Sequence, residues 1–195
     1  MDFASILGLL NPLNWGERGW KYFRRPKLRV YFDPNETHHT RTLANLGGIP
    51  GFFCHLMVSN DGKETAKKCQ GRLIEVSIRE PDGEFRPHPD FVNPVVLKWA
   101  REPDFGPRDI DPDLPRRLDL CCAAQSIPGI LSFFTHKRPS GNRTDFPPGT
   151  YRVKIRIDAE NATRSDGTFI VSYTGVWNQI QVSEDNGASN HELES

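Results

Sequence analysis

Residues 150–158, TYRVKIRID, decide the fold. Tyr151, Val153, Ile155 and Ile157 alternate with Arg152, Lys154, Arg156 and Asp158. A period of two sends the apolar side chains to one face and the charged ones to the other, as in a strand with one buried and one wet face. The same rhythm recurs on both sides. Leu28, Val30 and Phe32 share a face within Lys27–Asp33, and comparable runs occupy Phe52–Ser59, Cys69–Ile78, Val95–Ala100, Arg117–Ala124, Ile130–Thr135, Thr168–Tyr173 and Trp177–Val182. Clusters of Pro, Gly, Asn and Asp separate these runs, and no stretch after residue 26 carries a strong helical period beyond two turns. Many short strands with turn signals between them predict an all-β fold, an antiparallel immunoglobulin-like β-sandwich of eight or nine strands. Without βαβ units, a nucleotide-binding α/β sheet is not expected.

The chain has 195 residues, and its 25 Lys and Arg balance its 25 Asp and Glu. A neutral chain has no net field to steer it toward nucleic acid, so no nucleic-acid partner is expected. No apolar run reaches the ~20 residues of a spanning helix. Three parts are expected: residues 1–26 as an amphipathic, membrane-proximal segment, 27–182 as the sandwich, and 183–195 as a disordered polar tail.

The first part reads MDFASILGLLNPLNWGERGWKYFRRP. Phe3, Leu7 and Leu10 recur at helical spacing, and Trp15, Trp20 and Tyr22 follow among Arg18, Lys21, Arg24 and Arg25. Rings and long cationic chains favour the headgroup zone, so Phe3, Leu7, Leu10, Trp15, Trp20, Tyr22, Arg24 and Arg25 are the expected membrane-interface residues. Through residue 30 six basic residues face only Asp2 and Glu17, which favours an anionic surface on the cytoplasmic side. Packing of the same segment on the domain behind it is the competing expectation.

At residues 55–78 the chain reads HLMVSNDGKETAKKCQGRLIEVSI. Val58, Asn60, Gly62 and Ala66 resemble the V-x-N-x-G-x-x-x-A pattern of immunoglobulin-like, CARDB-type prokaryotic accessory domains, and Pro148-Gly149-Thr150-Tyr151 is similar to the opening of a late strand in such sandwiches. A short basic, aromatic leader before one β domain also resembles prokaryotic proteins with an N-terminal membrane segment. The resemblance implies a sandwich fold and an accessory role, and no catalytic residue.

The chain has four cysteines. If Asp61-Gly62 closed a two-residue hairpin, Cys54 would lie opposite Cys69 within reach of a disulfide; otherwise they are buried thiols, as a reducing cytoplasm would keep them. Cys121 and Cys122 are neighbours and should face apart. Asp104, Asp109, Asp111 and Asp113 alternate as cation ligands do, but Leu114 and Leu120 stand where a calcium loop needs Gly and Glu, so no metal and no cofactor is expected. His38, His39, His88 and His136 fall in loops and His55 in a strand; no nucleophile elbow, zinc helix or phosphate loop is present.

Arg152, Lys154 and Arg156 form a cationic row, and Trp99 and Trp177 add aromatic surface, which makes these five the candidate partner-binding residues. Their alternative role is the solvated face of a sheet balanced by acids on neighbouring strands. The expected function is a non-enzymatic, membrane-associated module for an unknown protein partner. The alternative is an extracellular carbohydrate- or ligand-binding module built on the Pro-rich loops. The Asn-x-Thr patterns at Asn35, Asn142 and Asn161 matter only in that second setting.

Overall fold

The computed structural model describes residues 24–36, 41–46, 48–133 and 143–185. Its strands are β1 (Leu28–Tyr31), β2 (Arg41–Leu46), β3 (Ile49–Asn60), β4 (Ala66–Arg79), β5 (Phe85–Pro87), β6 (Val95–Val96), β7 (Arg108–Ile110), β8 (Arg116–Ala124), β9 (Leu131–Phe133), β10 (Asp145–Phe146), β11 (Gly149–Asp158), β12 (Ser165–Tyr173) and β13 (Ile180–Glu184). They form two antiparallel sheets packed face to face. One follows the order β1-β3-β8-β9-β10 with β2 also on β3, and the other follows β13-β12-β11-β4-β5 with β6 and β7 also on β4.

The alternation in residues 150–158 is realised as read. Tyr151, Val153, Ile155 and Ile157 of β11 are fully buried while the residues between them are half-buried. Phe169, Val171 and Tyr173 extend that layer on β12, and Leu73 and Val76 on β4; Cys54, Leu56 and Val58 of β3 and Leu118 and Leu120 of β8 meet it from the opposite sheet. Each such side chain contributes about 1.5–3 kcal/mol by leaving water.

Two long strands organise the sheets. One edge of β3 carries β1 along Met57–Asn60 and β2 along Ile49–Cys54, and its other edge carries β8. One edge of β4 carries β7, β6 and β5 in succession, and the other carries β11. Outer strands this short offer little template for another chain.

The segment Val95–Ala100 does not remain in one sheet. Val95 and Val96 pair with β4, and Leu97 N donates to Gly71 O; then Trp99 bridges to Leu118, and Ala100 N donates to Arg117 O on β8. This corner joins the two sheets where β4 lies against β8. Gly71 permits the contact: a Cβ there would stand 2.6 Å from both methyl carbons of Leu118.

The turn after β3 departs from the sequence reading. β3 and β4 belong to different sheets, so the Asp61-Gly62 segment is a crossover between layers and not a hairpin. Buried Asn60 holds it, accepting from Lys27 N (3.0 Å) and Gly62 N (3.1 Å) and donating to the carbonyls of Glu64 (2.7 Å) and Ile110 (3.0 Å). Gly62 is required by close approach, because a Cβ would lie 2.3 Å from Arg25 O. Four short strands, β2, β5, β7 and β10, add to the eight or nine expected, and β13 runs two residues past Val182 to Glu184, inside the expected tail.

Gly71→Ala is expected to destabilise the protein by about 1–3 kcal/mol through overpacking. Pairing it with Leu118→Ala should recover part of that loss relative to the sum of the single changes, as read by urea unfolding.

Candidate functional site

The expected membrane-interface residues Phe3, Leu7, Leu10, Trp15, Trp20 and Tyr22 lie outside the described residues, as does the tail from residue 186. Arg24 and Arg25 lie within them. Arg24 O accepts the amides of Glu64 (3.0 Å) and Lys63 (3.3 Å), and its guanidinium stands 3.7 Å from the Glu64 carboxylate. The leader therefore joins the sandwich at the end where β3 crosses to β4. Asp185, which follows β13, leaves from that same end, its amide donating to Thr168 O near the start of β12.

The cationic row is assembled on the outer face of the second sheet, but it is largely balanced. Arg156 is held bidentately by Asp166 (2.8 and 2.9 Å), which keeps the Asp166 carboxyl below its ordinary range. Arg72, opposite Arg156, bonds Asp158 (3.2 Å), and Lys154 is in register with Glu75. Arg152 lies over the Phe85 ring, 4.9 Å from its centroid. Glu75, Arg152, Lys154 and Thr168 line a shallow depression of about 190 Å³. This is a solvated sheet face whose acids come from the same and adjacent strands. Trp99 does not belong to it: the side chain is 1 % exposed, buried at the corner between sheets. Trp177 is half-buried against the core in the β12–β13 connection, away from the row.

For the cysteines the structure shows the buried-thiol alternative and not the Cys54–Cys69 pairing. Cys54 and Cys69 sit in different sheets, and all four thiols are free and buried. The residue in register with Cys54 is Cys121 on β8, and both face the core. Burial and the Cys54 thiol beside it push the Cys121 thiol well up; burial, chiefly, raises Cys122 to about 12 and Cys69 to about 11. Thiols so disfavoured as thiolates are poor nucleophiles.

One buried polar pair lies on the outer face of the first sheet. A register shift in the β3–β8 pairing at Cys54/His55 sets Asp119 opposite His55, with Nδ1 2.7 Å from the carboxylate and each residue 6 % exposed. The pair fixes the tautomer with Nδ1–H donating, and Phe53 stacks on the ring at 6.2 Å. Elsewhere the acidic loop is occupied by structural donors: Glu102 binds Arg108 and Arg116, Asp104 accepts from Gly106 N and Arg108, Asp109 accepts from Lys68 N, and Asp111 accepts from Thr65 Oγ1.

A surface that the sequence reading did not single out lies at the end of the sandwich opposite the leader. Four connections meet there: the β2–β3 turn, the β8–β9 connection, Pro147-Pro148 and the β12–β13 connection. Gln125 N donates to Pro50 O and Gly129 N to Gly175 O; Gly175, at φ +98°, lies against Pro148. Ile49, Ile127 and Val176 are 40 %, 57 % and 44 % exposed. No Asp, Glu, Lys or Arg occurs in residues 42–60, 120–136, 146–151 or 167–183, in a chain that is 26 % charged. That absence is visible in sequence; that the fold brings these stretches together is not. Among the described residues, the charges at this end lie on the β4–β5 turn at the edge of the second sheet: Arg79, Glu80, Asp82, Glu84 and Arg86.

No family model and no curated protein matches the chain.

Three outcomes follow from these groups. Asp119→Ala leaves the buried His55 Nδ1–H without its acceptor and is expected to cost about 1–3 kcal/mol in urea unfolding. Protein isolated without reductant should yield four titratable thiols in denaturant and almost none when folded; fewer than four in denaturant would point to a bridge, for which the register nominates Cys54 and Cys121. Burial holds His88 below the ordinary histidine value, with Arg143 acting in the same direction and Asp90 opposing, and its Nδ1 accepts from Asp90 N (3.2 Å). The unfolded chain thus protonates at higher pH than the folded one. This contribution is complete above about pH 6.5 and is lost as the pH falls, so the urea midpoint should drop on acidification, and less steeply in His88→Gln.

Proposed function

We propose that the chain is a membrane-associated interaction module without chemistry of its own, held at one end and presenting the other. The observation that carries this reading is the opposed placement of its two ends. Arg24 ties the aromatic, arginine-bearing leader to the β3–β4 crossover, and the uncharged loops with exposed Ile49, Ile127 and Val176 lie at the far end. Leader residues at a headgroup surface, including Trp15, Trp20 and Arg25, direct the far end away from it. The cytoplasmic face is the side that the basic excess and the free thiols support. The similarity of Val58–Ala66 and Pro148–Tyr151 to CARDB-type domains supports an accessory role. The elevated Cys122 and Cys69 thiols and the structurally committed carboxylates support a non-catalytic one.

A second reading, an extracellular ligand-binding module, is favoured by one observation. A groove of about 360 Å³ runs over β12 and β13, lined by Phe32, Pro34, Ile170, Ser172, Gln181, Val182 and Ser183, with hydroxyl, amide and apolar groups and no charged side chain. Its size is within the range of small-molecule sites, and its lining suits a neutral polyhydroxylated ligand.

Co-sedimentation with anionic vesicles tests the first reading. The full chain is expected to pellet with them, and Trp15→Glu/Trp20→Glu to remain largely in solution. Equal partitioning of both proteins, or no binding by either, overturns the membrane role.

A further inference from the structure

We propose that residues 3–13 of the leader dock on the outer face of the first sheet and form a third layer there. The proposal goes beyond the membrane reading and does not need it: it assigns Phe3, Leu7 and Leu10 to the sheet and leaves Trp15 and Trp20 to a headgroup surface.

A difference between the two outer faces carries this inference. The core between the sheets takes Cys54, Leu56 and Val58 from β3 and Leu118, Leu120, Cys121 and Ala123 from β8. The residues between them, His55 and Met57 on β3 and Asp119 and Cys122 on β8, lie on the other side of the sheet, yet each is only 6 % exposed. On the second sheet the outward residues of β11, from Thr150 to Asp158, are all half-buried, although β11 is as central in its sheet as β3 is in the first. Two layers account for the second face and not for the first. The described strands form only those two layers, and neither lies over His55, Met57, Asp119 and Cys122.

Outside the described residues the chain holds one segment of matching chemistry. Residues 37–40 are Thr37, His38, His39 and Thr40, residues 134–142 hold Phe134 among polar and basic side chains, and residues 186–195 are polar and acidic. Residues 3–13 carry Phe3, Ile6, Leu7, Leu9, Leu10 and Leu13, and at helical spacing Phe3, Leu7 and Leu10 share one side with Ile6 and Leu13. Length and attachment agree. A helical rise over 3–13 spans about 16 Å, and the outward row of β3 from Phe53 to Met57 spans about 14 Å. Arg24 O is tied to the amides of Lys63 and Glu64 at the crossover, so the leader starts beyond the Met57 end of that row. Residues 14–23 reach at most about 33 Å, enough to turn the chain back over the face. Asp119 is already held by His55 at 2.7 Å, so an apolar segment covers the pair without leaving a lone carboxylate beneath it.

Thiol labelling of the full chain without lipid tests this, because Cys122 lies on the outer face while Cys54, Cys69 and Cys121 lie between the sheets. In the unaltered folded protein Cys122 should react with a maleimide as slowly as the other three, at every protein concentration. Leu7→Glu/Leu10→Glu should speed its labelling by about tenfold or more and leave the other three protected, as read by peptide mapping. A Cys122 that reacts readily in the unaltered chain overturns the proposal, and so does one still protected in the double variant. Protection lost on dilution assigns the cover to a second copy and overturns it too. If the double variant exposes all four thiols it has unfolded, and a cross-link decides instead. Irradiated Leu7→benzoylphenylalanine should form adducts within one chain at Phe53–Met57 or Asp119–Cys122; adducts only elsewhere, or only between chains, overturn the proposal. Trp15→Glu/Trp20→Glu should leave Cys122 protected. Loss of vesicle binding with Cys122 still covered removes the membrane reading and leaves this layer standing, and vesicle binding with Cys122 bare in solution does the reverse.

Discussion

The two layers of the molecule depend on the approach of β4 to β8. Gly71 lies where any side chain would collide with Leu118, and the Val95–Ala100 segment is stitched to both strands within six residues. Two sheets that merely faced each other would be held by side chains alone; here main-chain bonds join them at one corner. Trp99 is buried at that corner, where the path of the chain brings it. The crossover after β3 is a second clasp between layers, made by the Asn60 side chain to the main chain of Lys27, Gly62, Glu64 and Ile110.

Much of the architecture was legible because alternation of greasy and wet side chains is local. All nine runs read from the sequence contain or overlap a strand, and the buried face of β11 is the one its pattern named. What local pattern does not encode is which layer a strand joins. The Asp61-Gly62 signal marks a change of direction equally well for a hairpin and for a crossover, and the choice is settled by contacts to Arg25 and Lys27 far away in sequence. The same limit affects Trp99, which sits in a strand-like run that changes sheets midway. Strands of two or three residues, such as β5 with its proline, are too short to show a period.

The functional reading divides in a similar way. The cationic row was plain from the sequence; its balance by neighbouring acids was one of two readings, decided by the register that puts Asp166 beside Arg156 and Glu75 beside Lys154. The charge-free stretches were visible singly but their meeting at one end was not, since they come from four distant parts of the chain. Only topology turns an absence of charge into a surface. The pairing of His55 with Asp119 likewise depends on a register shift, which relocates a carboxylate by one position and has no signature in composition.

The outer edge of β4 is assembled from three separate pieces, each with its own few rungs. Between them run connections that leave the sheet and return. Such an edge is modular: an insertion or deletion in one connection shifts only the piece it serves, leaving the long strand as a fixed rail. Because the three pieces pair with the long strand and not with one another, fraying of one leaves the rungs of the other two in place, and the flank can open in parts while the strand behind it stays bonded to β11.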